Sequence, residues 1–558
     1  MAVNAKSLIK RNETLKEDRN LWDTFYRDVV DYIRPRKQTA EESRVPGVIR
    51  HKHYDSTAPH AANTLALVMA DTLTPKAIQW FGFKIPEASP FKQFNDNQNV
   101  MNWFKTVEDG VRFALDQSNF YPVVNEIYLD FNSFATICLY VEEAELKQKG
   151  FNGLTFRALP ISSYVFAEDD AGIVDTVMRE YELTARQFVQ RFPGTTIPGE
   201  IAKSLEQTPD DKFNFLRVVA PTKELSSKVK FPYASVDILV DKQLVVDERG
   251  YKEFPYMVGR WDKASGETRG RGPAAIALDD IKSLNQLRKL ELIGLEKAVN
   301  PPILAPEDGF IGTVKLGSNS IIYSRNPNDV RTLPTELRLD LSSLKANDLK
   351  QSIRDIYLTD QLNIPRTKQM TASEVSVLRS EMERLLGPTI SRFESEVLGP
   401  MLNRTVGIMH RTGALPPPPP EIQDLDAIDI EYVGQLARSQ KMVEVESIQN
   451  WISLIAQFGQ IDPRVMQLPD LMAAGRIIAP VLGVPKSVVK GNAQMEEDVE
   501  REQQKQAQAE QMQKMGAMAE SAGKAAPAMK VMQDGAANLS EEDKQALVQQ
   551  LAGVAGAN

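Results

Sequence analysis

The stretch from Gly272 to Pro302, GPAAIALDDIKSLNQLRKLELIGLEKAVNPP, decides how the rest of the chain is read. Pro273 suits the first turn of a helix, where a missing N–H costs nothing. Pro301 and Pro302 stop that helix at Asn300. Between them the sequence predicts a helix about 40 Å long at 1.5 Å per residue. Its apolar residues, Leu278, Ile281, Leu284, Leu287, Leu290 and Ile293, recur every three positions. A repeat of three drifts around a straight helix instead of keeping to one face. Asp280, Lys282, Arg288, Lys289, Glu291, Glu296 and Lys297 are interleaved all the way. Such a helix suits packing between neighbouring subunits, or it is the long core helix of one chain. Periodicity alone favours the core helix.

The chain of 558 residues is long enough for two to four domains and a substantial core. Its formal net charge of -9 excludes a generally basic nucleic-acid binder, so any DNA contact must come from local basic residues or be weak. The one cysteine, Cys138, rules out a disulfide framework within the chain and fits a reducing compartment. It lies in an apolar run and reads as a small buried residue. The N-terminal stretch lacks the apolar core of a signal peptide, and no segment approaches a transmembrane helix in length.

Outward from the long helix, the chain reads as α+β. Trp22, Phe25, Tyr26, Val29 and Ile33 form one face of an early helix that ends at Arg34-Pro35-Arg36. Asp55-Ser56-Thr57-Ala58-Pro59 starts a second helix, with Leu65, Val68, Met69 and Leu73 turned inward. Trp80 to Ile85 alternates like a strand. Residues 97–133 read as two helices broken near Tyr121-Pro122, and Ala135 to Glu142 as a buried strand. From Leu154 to Arg260 the pattern is mostly β, with a small helix from Thr184 to Phe192; Val236 to Val246 reads as one strand.

Beyond the long helix come a β-rich insert, Ile303 to Leu339, and a helix from Ser343 to Leu362. The loop Asn363 to Met370 follows. A capping box, Thr371-Ala372-Ser373-Glu374, then opens another long helix, which Gly387-Pro388 and Gly399-Pro400 should bend. Gly413 ends it. Pro416 to Pro420 reads as a polyproline spacer, and Glu431 to Val489 as a compact helical piece. The stretch from Asn492 is rich in Gln, Ala, Met and Glu, and reads as a marginal helix or a disordered tail.

Catalytic signatures are weak. His51, His53 and His60 lie near Asp55, which is conceivable as a metal site but reads better as a polar loop entering a helix. Arg269-Gly270-Arg271-Gly272-Pro273 before a helix is a weak candidate for holding a phosphate. The sequence contains no Gly-x-x-x-x-Gly-Lys-Ser/Thr loop, no Gly-x-Ser-x-Gly and no His-Glu-x-x-His. We therefore expect no catalytic residues, no metal and no cofactor.

Three groups of residues resemble the head-to-tail connector, or portal, proteins of short-tailed double-stranded DNA phages. The first is Leu21-Trp22-x-x-Phe25 leading to Asp31-Tyr32-Ile33-x-Pro35. The second is Asp55-Ser56-Thr57-Ala58, then Leu73-Thr74-Pro75 and Trp80-Phe81. The third is Met370-Thr371-Ala372-Ser373-Glu374-Val375, followed by Leu386-Gly387-Pro388 and Glu396-x-Leu398-x-Pro400. Their order across residues 20–410 carries the resemblance, and no motif extends it beyond about residue 420.

The resemblance implies a homo-oligomeric ring, typically of twelve subunits, at one capsid vertex of the virion and assembled in the host cytoplasm. It implies a wing over 1–271, a stem helix over 272–302, a clip over 303–342 and a second stem helix over 343–362. A tunnel loop would occupy 363–370, a kinked wing helix 371–413 and a helical crown 414–491, with 492–558 as a tail. On this plan Leu284, Leu287 and Leu290 lie near subunit contacts. Pro365, Arg366, Thr367, Lys368 and Gln369 line the narrowest part of a DNA channel. Double-stranded DNA, a terminase motor, major capsid and scaffolding proteins, and tail adaptors are the implied partners, with no membrane. A packaging motor would hydrolyse ATP, so the chain itself need not be an enzyme. A helical scaffold or adaptor without a DNA channel explains the long helices and the acidic charge equally well. A hydrolase built on the histidine cluster is the third reading.

Overall fold

The computed structural model describes residues 3–35, 53–86, 88–144, 151–299, 303–304, 331–332, 339–362, 384–422, 429–432, 435–459, 462, 464–465, 468–481 and 501. The chain divides into two compact units, one of residues 1–95 and 99–482, the other of 96–98 and 483–558. Of the second, residues 96–98 and Arg501 are described. The expected tunnel loop, the capping box at Thr371, the tail apart from Arg501 and all but eight residues of the clip (303–304, 331–332 and 339–342) therefore lie outside the described residues.

In chain order the first elements are α1 (Ala5–Tyr32), α2 (Thr57–Leu73), β1 (Phe81–Lys84), α3 (Gln98–Gln117), α4 (Phe120–Phe134), β2 (Thr136–Glu143) and β3 (Leu154–Ala158). Then follow β4 (Tyr164–Glu168), β5 (Val174–Thr184), α5 (Ala185–Arg191), α6 (Gly199–Gln207), β6 (Lys212–Pro221), α7 (Thr222–Leu225), β7 (Tyr233–Leu239), β8 (Leu244–Tyr251) and β9 (Tyr256–Arg260). The long helix is α8 (Pro273–Val299), ending where the two prolines forbid another turn. After it come β10 (Ile303–Leu304), β11 (Arg331–Thr332), α9 (Leu339–Ile356) and α10 (Thr359–Leu362). The last are α11 (Gly399–Arg411), β12 (Asp429–Tyr432), α12 (Gln435–Gly459) and α13 (Leu471–Val481).

Strands β4 to β8 form a five-stranded antiparallel meander. One face packs Met178, Leu216, Val218, Val236 and Ile238 against Ala5 and Leu8 of α1. The other packs Phe215 and Leu239 against Phe188, Phe192 and Ile201 of α5 and α6. On that second face Arg217 stands opposite Asp237 in the register. Its Nε and Nη2 donate to the two carboxylate oxygens at 2.9 and 2.8 Å, and the Tyr181 hydroxyl donates to the same carboxylate at 2.6 Å. Both partners of the pair are buried. Removing one partner alone would leave a buried charge, at about 3–5 kcal/mol.

A second sheet, in the order β3-β2-β9, sits under the main core. Tyr128, Phe131, Phe393, Val397 and Met401 pack there with Cys138 and Leu139. Cys138 is fully enclosed, and burial pushes its thiol up, so it is inert packing.

Several boundaries differ from the sequence expectation for local reasons. The break between α3 and α4 falls at Ser118-Asn119, so Tyr121-Pro122 sits in the first turn of α4, where proline is at home. Val236 to Val246 is two strands, because Gln243 takes a left-handed turn (φ 51°) between β7 and β8. The start of α2 is capped by Asp55, whose Oδ1 accepts from the Thr57 N–H at 2.8 Å, while Ser56 makes no side-chain cap. The expected helical piece beyond Glu431 is preceded by β12, which pairs with β1 in the register Phe81↔Tyr432. The polyproline run is tethered: Trp103 Nε1 donates to the Pro416 carbonyl at 3.1 Å.

The helix leading into α11 runs as α through Gly387-Pro388 and widens into a π-helical turn at Glu394–Leu398, just before Gly399-Pro400. Pro400 cannot donate to the ladder, and the wide turn absorbs that loss. Glu396 in this turn accepts from the Arg260 N–H at 2.9 Å and from Arg260 Nη2 at 2.6 Å, which pins the helix to the end of β9. In the same turn, burial pushes the Glu394 carboxyl up to about 7. A carboxyl raised on folding stabilises the fold below its ordinary range, and that contribution fades as the pH rises through 7. Glu394→Gln is therefore expected to raise the melting temperature at pH 8 and to leave it unchanged at pH 4. Thermal unfolding at the two pH values checks this.

Candidate functional site

The candidate site is the helix pair α8–α9 and what roots it. The root is a backbone crossing. Ala135 ends α4 in the left-handed conformation (φ 58°), and its carbonyl accepts from the Trp261 N–H at 2.9 Å. Gly270 passes so close that a Cβ there would lie 2.3 Å from the Ala135 carbonyl oxygen and 2.8 Å from the Trp261 nitrogen. Its N–H donates to the Thr136 hydroxyl at 2.9 Å. Arg269 is buried, with its guanidinium 5.1 Å from the centre of the Phe166 ring, and Arg271 pairs with Glu267 at 2.6 Å. The glycines and arginines read from sequence as a weak phosphate cradle thus build the joint from which α8 springs.

From this joint α8 runs antiparallel to α9. Ser352 Oγ donates to Asp280 at 2.6 Å near the root, and Ser342 Oγ donates to Glu291 at 2.5 Å further out. Lys282 pairs with Asp28 of α1 at 2.6 Å. Asp55 gathers the start of α2, α8 and α9 at one point, 3.6 Å from Arg288 and 3.4 Å from Lys350. Burial works against its charge, but the bonds from Thr57 and the Lys350 ammonium outweigh burial and hold its carboxyl below the ordinary range. The Asn285 side-chain oxygen accepts from the Tyr54 and Asp55 N–H groups at 2.6 and 3.3 Å.

The repeat of three in α8 acquires its meaning here. Each step of three residues falls about 60° short of a full circle, so three steps turn the apolar row about 180°. Leu278, Ile281 and Leu284 accordingly face the chain's own core. Leu284 is 1% exposed and packs in this chain's own core. Leu287 packs half-buried against that core. Leu290 is 53% exposed and is followed by exposed Leu292, Ile293, Leu295 and Val299. Sequence reasoning carried the row as far as Leu290 and Ile293; followed past Glu296 it would have reached Val299, whereas Leu292 and Leu295 lie off the row on another side of the helix.

Pro365, Arg366, Thr367, Lys368 and Gln369 lie outside the described residues, as does His51. Burial pushes His53 down, with Asp55 partly opposing it, and His60 sits on an exposed turn of α2. Among the described residues no group of three or more His, Cys, Asp or Glu is placed to hold a metal ion. No helix of the described residues is long and apolar enough to cross a membrane.

The structure presents an α+β chain with a long rooted helix whose far end exposes apolar side chains. The chain belongs to the bacteriophage head to tail connecting protein family, whose model matches residues 5–489. It is similar to the portal protein of Salmonella phage epsilon15, with 28% identity over 539 residues, covering 91% of this chain and 93% of that one. It is also similar to a probable portal protein of Bordetella phage BPP-1, with 27% identity over 510 residues, covering 87% and 89%.

Leu290→Asp with Ile293→Asp puts charges only on exposed positions, so the fold is expected to stay intact. If this end of α8 is covered by another copy, each charge is desolvated there and the oligomer weakens by several kcal/mol per contact, about 2 or more. Sedimentation velocity beside far-UV circular dichroism checks both halves of this expectation.

Proposed function

We propose that copies of this chain close into a ring at one vertex of a phage capsid, and that double-stranded DNA enters and leaves the head through it. The exposed apolar end of α8 carries this reading, because several large aliphatic side chains exposed around one end of a helix call for cover by another surface. The family match over residues 5–489 and two relatives named portal proteins support it. On this reading the helices α8 and α9 form the stem, residues 1–271 with the helix leading to Arg411 form the wing, and 303–342 the clip. Residues 414–491 form the crown. Twelve copies make the ring. A terminase motor, capsid and scaffolding proteins, and tail adaptors dock on it, and assembly takes place in the host cytoplasm. The ring is a conduit and a platform, with the motor's ATP hydrolysis supplied from outside.

Residues 363–370 follow α10 at the end of the stem and serve as the tunnel loop. Arg366 and Lys368 repeat around the ring as two collars of positive charge. The chain's net charge of -9 keeps the rest of the wall from gripping phosphates, so DNA slides and is held only transiently. Electron micrographs of the purified protein are expected to show closed rings with a central hole; compact monomers at working concentration would overturn the proposal. Arg366→Ser with Lys368→Ser is expected to preserve rings and to alter DNA packaging or retention in a salt-dependent way. Unchanged packaging at every salt concentration would remove the loop from the DNA path.

A further inference from the structure

We infer that a cleft between the end of α11, β1 and the loops flanking β7 and β8 is a docking site for a short acidic and apolar peptide segment of a partner protein. The inference stands apart from the channel reading, since it concerns neither the stem nor the tunnel loop. The cleft has a volume of about 540 Å³, within the range of sites that enclose a small ligand or a few residues of chain. Four parts of the fold meet there: β1, the connection into β7, the turn between β8 and β9, and the last two turns of α11.

The walls are fixed. Arg404 of α11 donates from Nε to the Val141 carbonyl and from Nη1 to the Glu253 carbonyl, both at 2.9 Å, which clamps the β8–β9 turn to the helix. The Glu253 carboxylate then lies across α11 and receives both terminal nitrogens of Arg411. Gly407 is what allows this, because a Cβ there would sit 2.3 Å from Glu253 Oε1. On the opposite wall, Gly250 makes room for the Phe231 ring, which a Cβ would approach to 2.3 Å.

The lining divides into two kinds of surface. Phe83, Val406 and Pro232 give it an apolar floor, and Phe231 stands 43% exposed at its edge. Around this floor are three cations, Lys230, Lys252 and Arg411, with Glu253 the only acid in the lining. Glu253 is already matched by Arg411. Lys230 and Lys252 have no ion pair among the described residues, and both are exposed. In a chain with a net charge of -9, a concavity with two uncompensated lysines over an aromatic and aliphatic floor selects for a ligand that combines carboxylates with an apolar side chain. A DNA duplex fits less well: its major groove alone is about 12 Å wide, so it would lie across the cleft and leave the floor empty.

The test uses the full-length protein in its assembled form and three fluorescent probes. These are a peptide alternating Asp and Leu, a peptide of the same charge alternating Asp and Ser, and a short DNA duplex. Fluorescence anisotropy is expected to show the Asp-Leu peptide binding at least tenfold more tightly than the Asp-Ser peptide, and more weakly as salt rises. Lys230→Glu with Lys252→Glu, both exposed and without ion pairs among the described residues, is expected to cut that binding at least tenfold while circular dichroism stays unchanged. Phe231→Ser, which keeps the charge, is expected to bring the Asp-Leu peptide down to the affinity of the Asp-Ser peptide. Absence of peptide binding, equal binding by the charge-reversed protein, or duplex binding that is lost on charge reversal while neither peptide binds would each overturn the inference. So would peptide binding by dissociated chains alone, which would make the cleft a contact between copies.

Discussion

At Ala135 two stretches of backbone cross with no side chain between them, and the placement of α8 follows from that crossing. The left-handed turn at Ala135 ends α4 and aims its carbonyl at the Trp261 nitrogen. Gly270 then passes within a distance that excludes any Cβ, and Pro273 opens α8 three residues later. A backbone contact of this kind is stiffer than one made by side chains, which can change rotamer. The long helix consequently leaves the α+β body from a fixed point. Around that point Phe131 packs on Trp261 and on Phe393, with ring centres 5.0 and 4.9 Å apart, so the helix leading to α11 is tied to the same joint.

The charged residues near the root have a related role. Asp28, Asp55, Asp280 and Glu291 each take a partner that belongs to another element or to the next turn of the same helix. These pairs are partly exposed, and each contributes little stability alone. Together they fix the rotation of α8 about its axis. Rotation matters because the apolar row drifts by half a turn between Leu284 and Ile293. The inner part of that row closes this chain's core, and the outer part is exposed. A long helix whose apolar row leaves the chain's own core partway along explains why neither face of it is uniformly apolar.

Much of this was legible in the sequence where a local rule has a sharp cause. Prolines 273, 301 and 302 bounded α8, and the early helix face of Trp22, Tyr26, Val29 and Ile33 packs as read. What escaped depends on contacts distant in sequence. Asp429 to Tyr432 is too short to announce a strand and becomes one because β1 lies beside it. The spacing in α8 showed that its apolar row drifts, but it carried no information on how far along the helix the chain's own core extends. Leu284 and Leu290 therefore looked equivalent and are not. The glycines at 270 and 272 suggested an anion site because the sequence alone cannot show what backbone passes beside them. The loop at 363–370, the most function-bearing reading of the sequence, lies outside the described residues.

The central claim is that the outer end of α8 is covered by a neighbouring copy. The chain's single cysteine, Cys138, is fully enclosed, so one introduced thiol can report alone. Leu292→Cys places that thiol at a position 54% exposed in the single chain. The direct measurement is its rate of reaction with a bulky maleimide, in assembled particles and in dissociated chains. The account predicts rapid labelling of dissociated chains and strong protection in the particle. Equal rates in both would contradict it.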